Sequence, residues 1–297
     1  MKRTSEQVDP GEAAPVRWGP TLRAVRGYYD ATTERSFLSG WSGEGMGLHF
    51  GLDGDGEGTH ARSLERTNEA VVDALALTAD DRCLDAGCGV GGTAIHVARR
   101  VGARVLGVTL SERQAELARG FAGEAGVGDR AAFVVADYGA TGLAAGTFDA
   151  VWLLESFCHA ESPGAVLRHL SGLLRPGGRL VCVDMLRGEG GDSDNLRDLC
   201  EGWVLPSLRS LAELEALATR AGLDAVRAVD LTPRVRRSAA TLLPLASVQR
   251  VRLDFERRMV GVGDDAMDAH VRGALGCARG LLDGAVTYGM VSGVRAA

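Results

Sequence analysis

LDAGCGVGG (84–92) is the stretch whose reading decides the fold. It continues an apolar stretch, RCLDAG (82–87), and opens a helical one, GGTAIHVARRVG (91–102). Four Gly stand within positions 87–92, where a Cβ would keep a ligand away from the backbone. A strand, a Gly-rich turn and a helix in that order begin an α/β sheet. The alternation continues outward from there. ARVLGVTL (103–110), AAFVVADY (131–138) and FDAVWLLES (148–156) read as further strands. SERQAELARGFAGEAG (111–126) reads as a helix capped by Ser111. SPGAVLRHLSGLLRPGG (162–178) reads as another, with Ser162 at its cap, Pro163 at its first position and Gly177 near its end. GRLVCVDML, LDAVRAVDL and AVTYGMVSGVRA complete seven strands. Short apolar strands separated by helices predict a Rossmann-like α/β sheet with helices on both faces.

The flanks have a different texture. Residues 1–15 are polar and read as a flexible tail. Residues 16–78 carry aromatic and helical patterning and form an N-terminal helical cap, with SLERTNEAVVDALAL as an amphipathic helix. Residues 79–186 are the ligand-binding core. Residues 187–222 comprise an irregular lid (187–208) and the helix SLAELEALATRAG. Residues 223–297 hold the last strands, with a helical insertion at 238–282. An open sheet of this kind binds ligands at the carboxyl ends of its strands. The helical flanks are placed to cover that edge.

The totals narrow the function classes. The chain has 297 residues, 45% hydrophobic, with a net charge of −6. An acidic balance argues against general binding to a phosphate backbone. The sequence contains no transmembrane run of about 18 apolar residues. The first residues lack the apolar core of a secretory signal. The six Cys have no metal-ligand spacing and read as reduced thiols, so the expected location is the cytoplasm. Lys2 is the only Lys, against 32 Arg, as codon bias in a GC-rich genome would give.

The turn itself specifies a ligand. A dinucleotide turn would read GxGxxG, with a diphosphate at the helix N-terminus. Here Asp85 stands two residues before Gly87, followed by Gly89 and Gly91. An acid there repels a diphosphate and suits an ammonium group, such as the methionyl end of S-adenosylmethionine (SAM). LDAGCGVGG then resembles the first motif of the class I SAM-dependent methyltransferases, and LLRPGGRL (173–180) resembles the approach to their fifth strand. The resemblance runs from about residue 25 to the C-terminus. It implies SAM as cofactor, with Asp85, Gly87, Cys88, Gly89 and Gly91 around it.

GVTLSERQ (107–114) narrows the branch, because it lacks the usual acid at the end of the second strand. In this it is similar to sterol and γ-tocopherol C-methyltransferases, cyclopropane fatty-acid synthases and geranyl diphosphate C-methyltransferase. That resemblance implies cofactor contacts for Thr109, Leu110 and Gln114. Ser111-x-x-Gln114 is equally a capping box. Ala136, Asp137 and Tyr138 end the third strand near the place of the adenine, and Leu154 ends the fourth. Tyr29, in GYYD (27–30), resembles a Tyr–Asp pair that closes over SAM, and also reads as a core aromatic.

LESFCHA (154–160) puts Glu155 and His159 just past an apolar strand, at the edge facing the methyl donor. A hydroxyl acceptor needs a general base, for which His159 is suited. An alkene carbon becomes a cation, which needs an anion and then loses a proton; Glu155 is suited to both. Each also has a plain structural reading, His159 as a loop His bonding backbone and Glu155 as an anchor of the loop. His49, Phe50, Phe157 and Trp203 are expected to line the acceptor site. Arg234, Arg236 and Arg237 either meet a phosphate or form a solvated face. No metal site is expected. The expected function is methyl transfer to carbon of a small, largely apolar bacterial natural product. O- or N-methylation is the alternative, and a SAM-binding protein without turnover the more distant one. The expected partner is a small-molecule acceptor, with no nucleic acid and no membrane span; homo-oligomerisation is compatible with the sequence.

Overall fold

The computed structural model describes residues 13–38, 47–54, 58–190, 193–206, 208–261 and 263–296. The tail at 1–12 therefore lies outside the described residues. Seven strands form one sheet: β1 (Arg82–Ala86), β2 (Arg104–Thr109), β3 (Ala131–Val135), β4 (Phe148–Leu154), β5 (Leu174–Arg187), β6 (Leu223–Asp230) and β7 (Val286–Arg295). Their order is β3-β2-β1-β4-β5-β7-β6. β7 runs antiparallel to both its neighbours, and the central strands are parallel.

Both sheet faces are covered, which explains why the strands read as continuous apolar runs rather than alternating ones. Cys83, Trp152, Val181 and Val183 point to one face, against α2 (His60–Ala74), α3 (Gly92–Arg100) and α4 (Glu112–Glu124). Leu84, Leu153, Leu180 and Cys182 point to the other, against α5 (Pro163–Leu173) and α7 (Leu211–Arg220). The chain reverses its direction of travel across the sheet between β1 and β4, the switch point at which such folds open a crevice.

Helices close that crevice from above. α1 (Pro20–Leu38) lies over it, with α8 (Arg236–Val260) and α9 (Asp265–Asp283) from the late insertion. The insertion at 238–282 is thus two helices, divided after Gly261 takes the left-handed conformation (φ 70°). The lid read as irregular contains α6 (Asp194–Gly202), capped by Ser193, whose hydroxyl accepts from the Leu196 amide. α6 lies tightly along α9. A Cβ on Gly276 would come within 2.5 Å of the Asn195 carbonyl. The helix expected to reach Gly177 ends at Leu173, since Pro176 disfavours a helical Arg175; the chain runs on as β5 from Leu174. Among the described residues, no helix is long and apolar enough to cross a membrane. All six Cys are thiols.

Candidate active site

The crevice is a cavity of about 390 Å³, lined from the glycine turn to α8 and α9. Its floor is the β1 end. The amides of Gly87 and Cys88 both donate to the Val108 carbonyl (3.0 and 2.8 Å), which pins the turn to β2. Gly89 has φ +53°, and a Cβ there would point into open space, with only Gln114 Nε2 at 4.0 Å. The turn therefore presents bare backbone to the cavity. Asp85 is 2% exposed, and its Oδ2 has no hydrogen-bond partner. Burial pushes this carboxyl up to about 8, against the pull of the Trp152 indole and the Ala94 amide. A buried, unsatisfied acid beside bare backbone is a cradle for a cationic ligand, and SAM fits it.

The neighbouring wall resolves the double reading of Ser111 and Gln114. The Ser111 hydroxyl accepts from the Gln114 amide (3.1 Å) and so caps α4. The Gln114 side chain does not return to Ser111. Its Oε1 accepts from Thr109 (2.7 Å), and its Nε2 donates to Thr33 on α1 (3.0 Å). Ser111 also donates to Asp30 of α1. The TLSxxQ stretch thus ties α1 to the rim. Asp137 lies on the same wall, its Oδ1 accepting from the Gly139 amide (2.7 Å). Cys88, Leu110, Tyr138 and Leu154 also line the cavity.

Three expected contacts lie elsewhere. Gly91 caps α3, and a Cβ there would strike the Phe133 ring at 2.7 Å; it serves the packing of turn against sheet. Ala136 and Phe157 are buried in the core layer beneath α5 and α7, on the far face.

Glu155 and His159 both line the cavity. Glu155 follows β4 in a left-handed conformation (φ 50°), costly for a residue with a side chain. Its Oε1 accepts from the Phe50 amide (2.6 Å) and from the Tyr288 hydroxyl (2.7 Å). Burial raises this carboxyl to about 8, while those two donors hold it lower than burial alone would. His159 lies in a 3₁₀ turn, Phe157–His159. Its Nδ1 faces the Val204 carbonyl (3.3 Å), and its Nε2 faces the Tyr29 hydroxyl (2.7 Å). A carbonyl only accepts, so Nδ1 carries the hydrogen and Nε2 accepts from Tyr29. Burial lowers His159 to about 4, so the ring is neutral. Val204, which supplies that carbonyl, is itself left-handed (φ 57°).

The far end is apolar with a few polar fixtures. Leu242, Leu245, Ala246 and Gln249 of α8 line it together with Ala274 of α9. Trp203 stacks on His270, its ring centroid 6.1 Å away, and donates to the His270 carbonyl (3.0 Å). The Tyr28 hydroxyl meets His270 Nδ1 (2.8 Å). His49 and Phe50 line the side nearest Glu155. Arg237 and Arg234 are turned to the same loop, Arg237 pairing with the Asp53 carboxylate (3.2 Å) and Arg234 donating to the Asp53 carbonyl (3.2 Å). Among the described residues, no group of three or more His, Cys, Asp or Glu could hold a metal.

Sequence reasoning missed Tyr28, Thr33, His270 and Tyr288. Tyr288 alone carried a signal: a Tyr inside the apolar strand AVTYGMVSGV must find a partner for its hydroxyl.

Known proteins resemble this architecture and its motifs. Residues 84–182 match the family described as Methyltransferase domain. Methyltransferase GfsG of Streptomyces halstedii is 33% identical over 247 residues, covering 80% of this chain and 86% of that protein. The 27-O-demethylrifamycin SV methyltransferase of Amycolatopsis mediterranei is 36% identical over 199 residues, covering 65% and 72%. The structure of geranyl diphosphate C-methyltransferase from Streptomyces coelicolor, with Mg2+, geranyl diphosphate and S-adenosyl-L-homocysteine bound, matches with a TM-score of 0.71. It is 23% identical, and the match covers 95% of this chain and 100% of that one.

Proposed function

The chain belongs to the class I SAM-dependent methyltransferases, and on that premise we propose that it methylates a carbon of a largely apolar bacterial natural product, with Glu155 taking the proton that the acceptor loses. Bound SAM supplies a methyl group on a positively charged sulfur. Asp85 and the bare backbone at Gly89 hold the cofactor's charged end. Thr109, Gln114 and Asp137 flank the rest. The apolar chamber between α8 and α9 takes the acceptor's body, and α1 excludes water from the reaction.

The observation that carries this reading is the contrast between Glu155 and His159. His159 is a poor candidate for general base: its Nε2 lone pair is filled by Tyr29 and burial lowers it to about 4. Glu155, near 8, is poised for proton transfer close to neutral pH. A positive charge in the cavity favours its carboxylate further. Phe50 and Tyr288 hold one oxygen by donating to it, which fixes the group without neutralising it. A carboxylate so held suits an acceptor that becomes cationic as its carbon takes the methyl group.

The relative named for 27-O-demethylrifamycin SV favours a second reading, methylation of a hydroxyl oxygen. Glu155 would then take the hydroxyl proton directly. Incubation of the protein with 13C-methyl SAM and an extract of the producing cells tests both. A label at a carbon-bound methyl shift supports the first reading, and a methoxyl shift the second. Absence of label from every product contradicts both.

A further inference from the structure

Asp184 is a buried acid that the methyl-transfer reading does not use. It stands in β5 one residue before Met185, which lines the cavity, and is itself 1% exposed. Strand alternation turns it to the layer that holds Cys182 and Leu186. A carboxyl in so apolar a layer is costly unless donors reach it. They do: its Oδ2 accepts from the Cys158 amide (3.0 Å) and its Oδ1 from the Met185 amide (2.7 Å). The Phe157 amide and the Cys158 thiol also favour its charged form.

All of these donors but Met185 belong to the 3₁₀ turn Phe157–His159, just past Glu155. Glu155 enters that turn left-handed, and strain of this kind persists only where its surroundings fix it. The Glu155 amide is fixed to the Val183 carbonyl (2.8 Å) and the Ser156 hydroxyl to the Ala86 carbonyl (2.6 Å). Asp184 fixes the residues that follow. The titratable groups around Glu155 are Asp184 of β5, Tyr288 of β7, Cys158 of the turn and Cys277 of α9. Those around Asp184 are Cys158, Cys182, Tyr288, Tyr138 and Tyr29 of α1. Burial raises each of these thiols and phenols, so they stay neutral. Among the described residues, Asp184 is then the one anion that acts on Glu155. Burial raises Asp184 to about 7 and Glu155 to about 8, and its larger set of donors makes Asp184 the first of the two to ionise.

We propose that Asp184 is a positioning residue for methyl transfer: it pegs the turn between Glu155 and His159, and its negative charge acts on the Glu155 carboxyl across that turn. The anion keeps a proton on Glu155 to a higher pH, which makes the Glu155 carboxylate, once formed, a stronger base. Tyr288 works in the opposite sense, since its hydroxyl donates to Glu155 Oε1 (2.7 Å) and favours the carboxylate. The inference rests on the reading of Glu155 as the base.

The test reads Glu155 directly. Protein carrying carbon-13 at its glutamate side-chain carboxyls, saturated with S-adenosylhomocysteine, is titrated by NMR, and the Glu155 signal is identified by its absence in Glu155→Gln. Asp184→Asn keeps an oxygen for the Cys158 amide and removes the charge. The Glu155 midpoint should fall by roughly half a pH unit or more, with exchange of the Cys158 amide little changed. Tyr288→Phe removes a donor to the Glu155 carboxylate and should raise the midpoint by about one unit. Asp184→Ala removes both the charge and the acceptor oxygens. Its label transfer from methyl-labelled SAM in producing-cell extract should fall roughly tenfold or more, with S-adenosylhomocysteine affinity within about threefold of wild type, and Asp184→Asn should recover part of the loss. An unchanged or higher midpoint in Asp184→Asn overturns the proposal, as does movement of Asp184→Asn and Tyr288→Phe in one direction. So does a fall that comes with rapid exchange of the Cys158 amide, which assigns it to water entering the turn, or undiminished transfer by Asp184→Ala. Should Asp184→Ala fail to fold, the Asp184→Asn titration decides alone. Near wild-type transfer by Glu155→Gln would overturn the reading of Glu155 as base, a separate result.

Discussion

The half of the cavity at the glycine turn, proposed for the cofactor, and the half between α8 and α9, proposed for the acceptor, are built in opposite ways. The first is centred on one continuous piece, the strand, turn and helix of residues 82–100, pinned by backbone bonds to β2 and flanked by Thr109, Gln114 and Asp137. The acceptor half is assembled from far-separated segments joined by single polar contacts. Phe50 and Glu155 are 105 residues apart, Tyr29 and His159 130, and Tyr28 and His270 242. Continuous backbone makes a rigid cradle for a constant ligand. Scattered side chains on helices make a surface that can be altered without disturbing the cradle, and that can open.

If that contrast is correct, damage to the cradle should cost most. Gly89→Val puts a branched side chain at φ +53° and fills the space above the turn. Strain and lost space together cost about 3 kcal/mol, so cofactor affinity measured by calorimetry should fall roughly 100-fold or more. Retained affinity would mean that the ligand does not approach this turn.

The second test concerns the proton held in the cradle. Asp85 is raised to about 8 from the ordinary carboxylate range, so the folded protein holds a proton that the unfolded chain releases near pH 4. Folded stability is therefore fullest below pH 4 as far as this group is concerned, and declines as pH rises towards 8. The slope is about 1.4 kcal/mol per pH unit for one such group, or roughly 2–4 °C in Tm. Glu155 adds a slope of the same sign. Asp85→Asn should remove one group's share between pH 5 and 8. An unchanged slope would show that Asp85 is ionised in the free protein.

The smallest effect belongs to the acceptor half. Tyr29→Phe removes one hydrogen bond and leaves His159 Nε2 empty. A loss of about 1 kcal/mol should appear as roughly fivefold faster amide exchange in 20–38, with cofactor affinity little changed. Unchanged exchange would mean that the other contacts of α1, among them Gln114–Thr33, Ser111–Asp30, Arg113–Glu34 and Tyr28–His270, hold it without this bond.

The same division governed what could be read from the sequence. Asp85, Gly87 and Gly89 were legible because their meaning is local: strand, turn and acid follow one another in the chain. The seven strands were legible because both sheet faces are covered and leave apolar runs. Phe157 was misplaced by its neighbours, since Glu155 and His159 line the cavity while the 3₁₀ turn sends Phe157 into the core below. Tyr28 and His270 were not legible, because nothing in either segment records that they meet. The bond from Tyr29 to His159 is equally absent from the local sequence, and it bears on the choice between His159 as base and His159 as a loop histidine.

The central claim is that Glu155 accepts the acceptor's proton and His159 does not. The direct measurement is the rate of label transfer from methyl-labelled SAM, with cofactor affinity in parallel, for Glu155→Gln and His159→Ala in the same producing-cell extract. Glu155→Gln keeps the shape and removes the base, so transfer should fall roughly 10²–10⁴-fold, with S-adenosylhomocysteine affinity within about threefold of wild type, while His159→Ala loses less. Near wild-type transfer by Glu155→Gln, or a deeper loss in His159→Ala, would contradict the account.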